Sequence, residues 1–323
     1  MTNFQVYKKI LSFSLLQFVV DIAVLAIIAG LAVAGFFMFD NTASSKAIIG
    51  LIIGLVIGII IAIVVSYLVS NRIKAAQISM MVKGVTEGEL PEQTFKAGFA
   101  ELKGRFAKIT LLFVVMNGIK GVFRQIGRGL DKLGRAVGGD VGEGVTSAIN
   151  SAIQILIGYM CDCCMGWILY RKDVNGFKAG CEGAVIFFKH GKTLLRNIGR
   201  IFGMGFISFL VIGGAFFGIF YLIFMNFPDL FNTLASEIKE IGIRNDIEIK
   251  EFLTEPTTLR LFLCAIGGIV LWSSIHSVLI RPFILVGVLR NFMAAGLKDL
   301  PTESDFEELN NKSPKFQKLY NRI

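Results

Sequence analysis

The densest group of potential metal ligands in the sequence is Cys161-Asp162-Cys163-Cys164, since thiolates and carboxylates bind zinc and soft metals. Neighbouring residues of a helix point in different directions. Cys161, Cys163 and Cys164 would therefore need Cys181, His190 or a partner subunit to close a tetrahedral site. Small apolar packing, or acylation of membrane-proximal cysteines, accounts for them equally well. Asp21, Asp162 and His276 form a second set, because each is an ionisable residue in a long apolar stretch. Such groups are costly in hydrocarbon and normally face protein, water or a solute, which makes these three the candidate intramembrane polar site. An interfacial position for Asp21, or a hydrogen bond between helices for His276, explains the same residues structurally. With two histidines, no nucleophile elbow, no paired catalytic carboxylates and no dinucleotide fingerprint, the chain offers nothing that an enzyme or a cofactor would use.

The elements that must carry these residues are membrane helices. A hydrophobic content of 54% over 323 residues and a mean hydropathy of +0.66 exceed what a soluble domain of this length contains. Ala47 to Val69 is an uncharged apolar run long enough to cross about 30 Å of hydrocarbon. Gly50, Gly54 and Gly58, continued by Ala62, recur every fourth residue and leave one face nearly bare for close helix packing. The preceding helix, about Ile10 to Phe39, offers Ala26, Gly30 and Ala34 as the matching row, and the short polar link Asp40 to Lys46 makes the two an antiparallel hairpin. Ile201 to Phe227 and Leu261 to Ile280 are two further clear spans. Val145 to Tyr170 is long enough to cross, but Asn150, Gln154 and Asp162 require a polar environment, so a re-entrant or interfacial path is expected.

Charge sets the sidedness. The net charge of +9 is concentrated beside the apolar spans, which points to cytoplasmic loops and anionic lipid headgroups rather than to nucleic acid. Asn71, Arg72 and Lys74 follow the second span, so both termini are expected in the cytoplasm of a multi-pass plasma-membrane protein. The loop Pro228 to Thr258 carries more acidic than basic residues and reads as external. Residues 71–144 hold amphipathic helices. In one of them Lys120, Arg124, Arg128 and Lys132 line one face opposite Ile119, Val122, Phe123, Ile126 and Leu130, the pattern of a helix lying in the membrane plane. Five segments follow: a transmembrane hairpin over 1–70, interfacial helices over 71–144, an uncertain membrane segment with a basic loop over 145–200, a transmembrane pair over 201–297 and a charged cytoplasmic tail over 298–323. The fold class is all-α, a polytopic integral membrane helical bundle. Its partner is the lipid bilayer with anionic headgroups, and the glycine faces also suit a second copy or another membrane protein. The five cysteines lack the spacing of a disulfide framework and are expected to be reduced.

VTEGELPEQTF at Val85 to Phe95, GYMCDCCMGWILYRKDVNGFKAGCEGAVIFFKHGKTLLRN at Gly158 to Asn197, and KFQKLYNRI at the end resemble an uncharacterised group of polytopic membrane proteins of clostridia-like, Gram-positive bacteria. That resemblance implies a membrane bundle and brings no activity. The stretch from Phe177 through the last span is also similar in pattern to choline-transporter-like proteins, where basic interfacial helices precede a pair of C-terminal spans. The function expected from Asp21, Asp162 and His276 within apolar segments is a transporter-like or channel-like component for a small polar or cationic solute. The alternative is a membrane-organising or adaptor protein that acts through its lipid-binding amphipathic helices.

Overall fold

The computed structural model describes residues 1–39, 44–102, 114–125, 143–244 and 250–323, and all regular structure among them is helical. Fifteen helices carry the numbers used below: α1 Asn3–Phe39, α2 Ser44–Val65, α3 Asn71–Thr86, α4 Thr94–Leu102, α5 at 114–125, α6 Glu143–Tyr170, α7 Gly176–Lys189, α8 Gly191–Ser208, α9 Gly214–Met225, α10 Pro228–Arg244, α11 Glu251–Thr254, α12 Pro256–Ile275, α13 Arg281–Lys298, α14 Glu303–Lys312 and α15 Pro314–Tyr320. Three wide π-turns, Ser66–Ser70, Phe209–Gly213 and His276–Ile280, join successive helices without a break. Among the described residues five helices are long and apolar enough to cross a membrane: Asn3–Met38, Ile49–Thr86, Ser151–Tyr170, Gly199–Met225 and Pro256–Lys298. The protein is thus an all-α membrane protein. Its chain divides into two compact units, Met1–Ile198 with Pro282–Ile323, and Gly199–Arg281. The stretch up to Ile198 and the C-terminal residues from Pro282 thus share one unit with the N-terminal part.

In the first unit α1 and α2 form the expected antiparallel hairpin. The glycine row of α2 does what its spacing predicts: Gly50, Gly54 and Gly58 are buried against α1, and Ala62 is half-buried. A Cβ on Gly54 would run into the Leu31 carbonyl, and one on Gly58 would come within 2.9 Å of the Ile28 backbone. The opposing row differs from the expected one. Ile28, Leu31, Ala32 and Gly35 face α2, whereas Gly30 looks into open space and Ala26 and Ala34 are exposed. Helix α1 carries small residues on two faces, and Gly35 is the one at which backbones meet, directly against the Gly50 carbonyl. The remaining surface of the hairpin is apolar, with Ile22, Leu25, Val33, Ile52, Val56 and Ile60 exposed, as helices bathed in lipid require.

Below the hairpin the character reverses. Val6, Ile10 and Phe13 of α1 are fully buried, as are Ile78, Met80 and Met81 of α3, Trp167 of α6, Ile186 of α7 and Ile284, Leu289 and Phe292 of α13. Helix α3, which follows a span and reads as an amphipathic surface helix, is therefore central to a packed helical body. Helix α6 belongs to the same core. Some 44% of its most apolar window is buried in protein, against none for α1. Val145 to Tyr170 lies within one continuous helix, in which Asp162 is buried in protein and Gln154 is exposed. Close packing comes from small residues: a Cβ on Gly166 would lie 2.9 Å from Leu289, and one on Gly296 would lie 2.7 Å from both Ile186 and Trp167. Phe187 stacks on Phe292 at 4.7 Å and meets the edge of Phe123 at 5.7 Å.

The C-terminal helices close this body. Lys189 at the end of α7 bridges Asp299 at 2.9 Å and Asp305 at 3.0 Å, and Lys312 lies 4.6 Å from the Phe188 ring centre. Phe316 is fully buried, and Ser313 caps α15 by accepting from the Phe316 N–H. The 298–323 segment is thus docked rather than a separate tail.

In the second unit α9 and α12 pair along a small-residue contact, where Gly268 approaches the Gly213 carbonyl and the Phe217 backbone. The stretch expected as an acidic loop is mostly helix. Helix α10 buries Phe231 and Ala235 against Leu259, with Phe224, Ile238, Leu253 and Leu263 around them, so its acidic residues occupy the outer face of an amphipathic helix.

Candidate functional site

Helices α1 and α3 are joined by a polar seam whose members recur at helical spacing. Ser14, Gln17 and Asp21 share one face of α1, and Ser70, Lys74 and Gln77 share the facing side of the π-turn and α3. The Gln77 amide donates to Ser14 Oγ at 2.7 Å. The Gln17 amide donates to Asp21 Oδ1 at 2.7 Å and to Ser70 Oγ at 2.9 Å. One turn beyond Ser70, the Lys74 ammonium pairs with Asp162 Oδ1 at 2.5 Å, bringing α6 into the seam. Asp21 and Asp162 are therefore linked through adjacent turns of one helix, while His276 belongs to the other unit.

The seam lies at the edge of the apolar zone. The exposed apolar surface of α2 and its π-turn runs from Ile49 to Val69, about 30 Å of helix and a full hydrocarbon thickness. Lys74 stands about 8 Å farther along the same helix. The Lys74–Asp162 pair thus lies beyond the end of that exposed apolar run of α2 and its π-turn.

Helix α5 carries part of the basic stripe. Its apolar side is taken up by protein: Val115, Ile119 and Val122 are fully buried, and a Cβ on Gly180 of α7 would lie 3.0 Å from Ile119. Leu319 of α15 fills the space beside Gly118, and Ser313 donates to Gln125 at 3.1 Å. The in-plane helix with its apolar side in acyl chains is corrected here to a helix packed on α7 and α15, because the same amphipathic period serves either medium. Lys120 and Arg124 remain exposed. Arg128 and Lys132 lie outside the described residues.

The cysteines do not assemble a metal centre. Among the described residues no three His, Cys, Asp or Glu side chains are placed to hold an ion. Cys163 and Cys164 are buried on different sides of α6, Cys164 against Gly183, as the rotation of about 100° per helical residue requires. All five cysteines are free thiols. Burial, with Glu182 adding to it, pushes the Cys181 thiol up to about 12, so it stays protonated.

One buried charge network was not expected. Glu182 accepts from the Trp167 indole at 2.9 Å and pairs with Arg171 at 3.1 Å, although its side chain is only 6% exposed. Arg171 in turn forks onto Asp173 at 2.9 Å, and that hydrogen bond holds the Asp173 carboxyl below the usual carboxylate range. The signal available in the sequence was a lone carboxylate inside the apolar run of α7.

In the second unit His276 opens its π-turn beside Trp272, with ring centres 5.4 Å apart. The Trp272 indole donates to Ser208 Oγ at 3.2 Å, and Ser208 donates to the Gly205 carbonyl at 2.8 Å. His276 thus stands in an aromatic and hydroxyl setting within a helix pair. No protein-family model, curated protein or solved structure matches the chain.

Proposed function

We propose that the chain is a non-enzymatic membrane-organising or adaptor protein of the plasma membrane, with its helical body and both termini on the cytoplasmic side. The observation that supports this most is where the polar residues of the first unit lead. Asp21 is held by Gln17, and Asp162 by Lys74, at the edge of the apolar zone. These groups tie helices together, and the helices they tie form a packed body. Met1 donates through its amino group to the Gly88 carbonyl, and α15 packs on α5, so both ends of the chain belong to that body. Arg72 and Lys74 directly after the α2 span agree with a cytoplasmic placement.

A transporter-like or channel-like component for a small polar or cationic solute is the second reading. It is favoured by π-turns beside Gln17 and at His276, since such turns recur at functional sites in helices. Single cysteines at positions 21, 162 and 276, in a cysteine-free background in intact cells, separate the two. Under the adaptor reading an impermeant thiol reagent labels none of them from outside, and reconstituted protein moves choline no faster than empty liposomes. Labelling from opposite faces, with a saturable flux lost in Asp162→Asn, would establish transport instead.

A further inference from the structure

The chain passes between its two units twice, after Ile198 and after Arg281. Neither passage is a loop. Helix α8 runs unbroken from Gly191 to Ser208, and α12 continues through the π-turn His276–Ile280 into α13. Both helices are weakened where they pass. Gly199, Gly203 and Gly205 follow one another on α8, and packing calls for none of them. A Cβ on Gly199 or Gly203 would meet nothing within 4 Å, and one on Gly205 would meet only His276 Nε2 at 3.9 Å. They differ in this from Gly54, Gly166 and Gly296, where a Cβ would run into a neighbour. A glycine with no packing role leaves its helix a looser backbone. On the other passage the Arg281 N–H reaches back beyond its α-helical partner to the His276 carbonyl, and Pro282, which has no N–H, omits the next rung. Wide turns and prolines are where long helices bend.

The two weak stretches lie side by side, since Gly205 of one faces His276 of the other. Each end is tied. In the first unit the Asn291 amide of α13 donates to buried Asn197 of α8 at 2.9 Å. In the second unit the Trp272 indole donates to Ser208 Oγ at 3.2 Å, and the Phe209 ring meets that of Trp272 at 5.0 Å. Between these ties the glycine stretch covers about 10 Å of helix. The third π-turn, Ser66–Ser70, differs: it lies inside the first unit, and Gln17 holds its Ser70 at 2.9 Å. We infer that residues 199–205 and 276–282 are the two halves of one hinge, on which the second unit bends relative to the packed body. Two continuous helices that yield at one level allow a bend without letting the units come apart. The hinge belongs to the fold, whether the protein organises the membrane or moves a solute.

The test places spin labels at Glu237 of α10 and Glu307 of α14 in full-length, cysteine-free protein in detergent, and reads their distance distribution by pulsed electron paramagnetic resonance. A second pair, at Glu89 and Glu307, lies within the packed body and sets the width of a rigid pair. All three positions are exposed. The Glu237–Glu307 distribution should contain a second component that the Glu89–Glu307 distribution lacks. Alanine favours the helical state of a residue over glycine by about fourfold. Gly199→Ala with Gly203→Ala should therefore deplete the second component at least about fourfold, and neither new Cβ touches a neighbour. Pro282→Ala returns the missing N–H and should deplete the same component from the other helix. Gly214→Ala, also in open space but outside the hinge, should leave it unchanged. An unaltered Glu89–Glu307 distance in each variant verifies that the body is folded. A single narrow Glu237–Glu307 distance in the parent, a second component that survives the double alanine variant or Pro282→Ala, or equal depletion by Gly214→Ala would each overturn the hinge.

Discussion

Glu182→Ala is the substitution whose cost follows most directly from the structure. It removes the carboxylate that accepts from Trp167 at 2.9 Å and faces Arg171 at 3.1 Å, in a side chain that is 6% exposed. Trp167 is fully buried, so its indole N–H would be left without an acceptor, at a cost of about 1–3 kcal/mol. Breaking a buried ion pair by removing one partner costs about 3–5 kcal/mol. The lower end applies here because Arg171 keeps its fork onto Asp173 and retains some solvent. The expected total is about 4 kcal/mol, a fall of about 8–16 °C in the unfolding midpoint for a unit of this size. Glu182→Gln keeps an acceptor for the indole and loses only the charge, so its fall should be about half as large. Thermal unfolding in detergent, followed by Trp167 emission in a Trp272→Phe background, measures both. If both variants unfold within about 1 °C of the parent, the network does not hold α6 to α7 and the reasoning fails.

The hairpin should be intolerant of bulk at one position and tolerant at another. Gly54→Ile forces the α1 and α2 backbones apart and should cost more than the usual ~1–3 kcal/mol of overpacking, whereas Gly30→Ile, facing open space, should leave the unfolding midpoint unchanged. Gly180→Leu should likewise dislodge α5, because even a Cβ there meets Val115 and Ile119; the readout is new protease sensitivity near residue 120. The docking of α14 has a pH window. Burial pushes the Asp305 carboxyl up, but hydrogen bonds from Thr302 and from Lys189 outweigh it and leave it lowered. Its contribution is therefore complete above the ordinary carboxylate range and is lost as pH falls through the depressed folded value. Hydrogen bonds to Asp299 and Asp305 raise Lys189, whose contribution is complete below its ordinary value of 10.5 and is lost as pH rises through the raised one. A spin label at Glu307 should be immobile across the neutral range and gain mobility at both extremes; monotonic change through neutrality would contradict this pairing.

What could be read from the sequence was whatever depends on one segment alone. An uncharged apolar run admits only a helix in lipid, and a glycine every fourth residue marks a packing face whatever packs there. Both hold for α2. What needed coordinates was the identity of the opposite surface. Helix α1 offered two small-residue faces, and the choice of Gly35 over Gly30 depends on how the two helices cross. Helices α5 and α6 present amphipathic patterns that protein or lipid can satisfy equally, and here protein wins because α7, α13 and α15 return from far along the chain to cover them. Asp21 and Asp162 were visible as anomalies, but Gln17 and Lys74, the residues that hold them, look like ordinary polar side chains until their partners are known.

The π-turn Ser66–Ser70 has a consequence for how this chain can change length. A wide turn of this kind accommodates one residue more than an α-helix covering the same rise, so the chain carries a spare residue between its lipid-facing and body-facing halves. Losing a residue within 66–70 would let the helix close to regular geometry while the glycine row and Lys74 keep their angular relation. Losing one between Gly58 and Val65 would instead rotate Lys74 by about 100° away from Asp162. Slack is confined to one turn, so insertions and deletions are absorbed there and punished on either side.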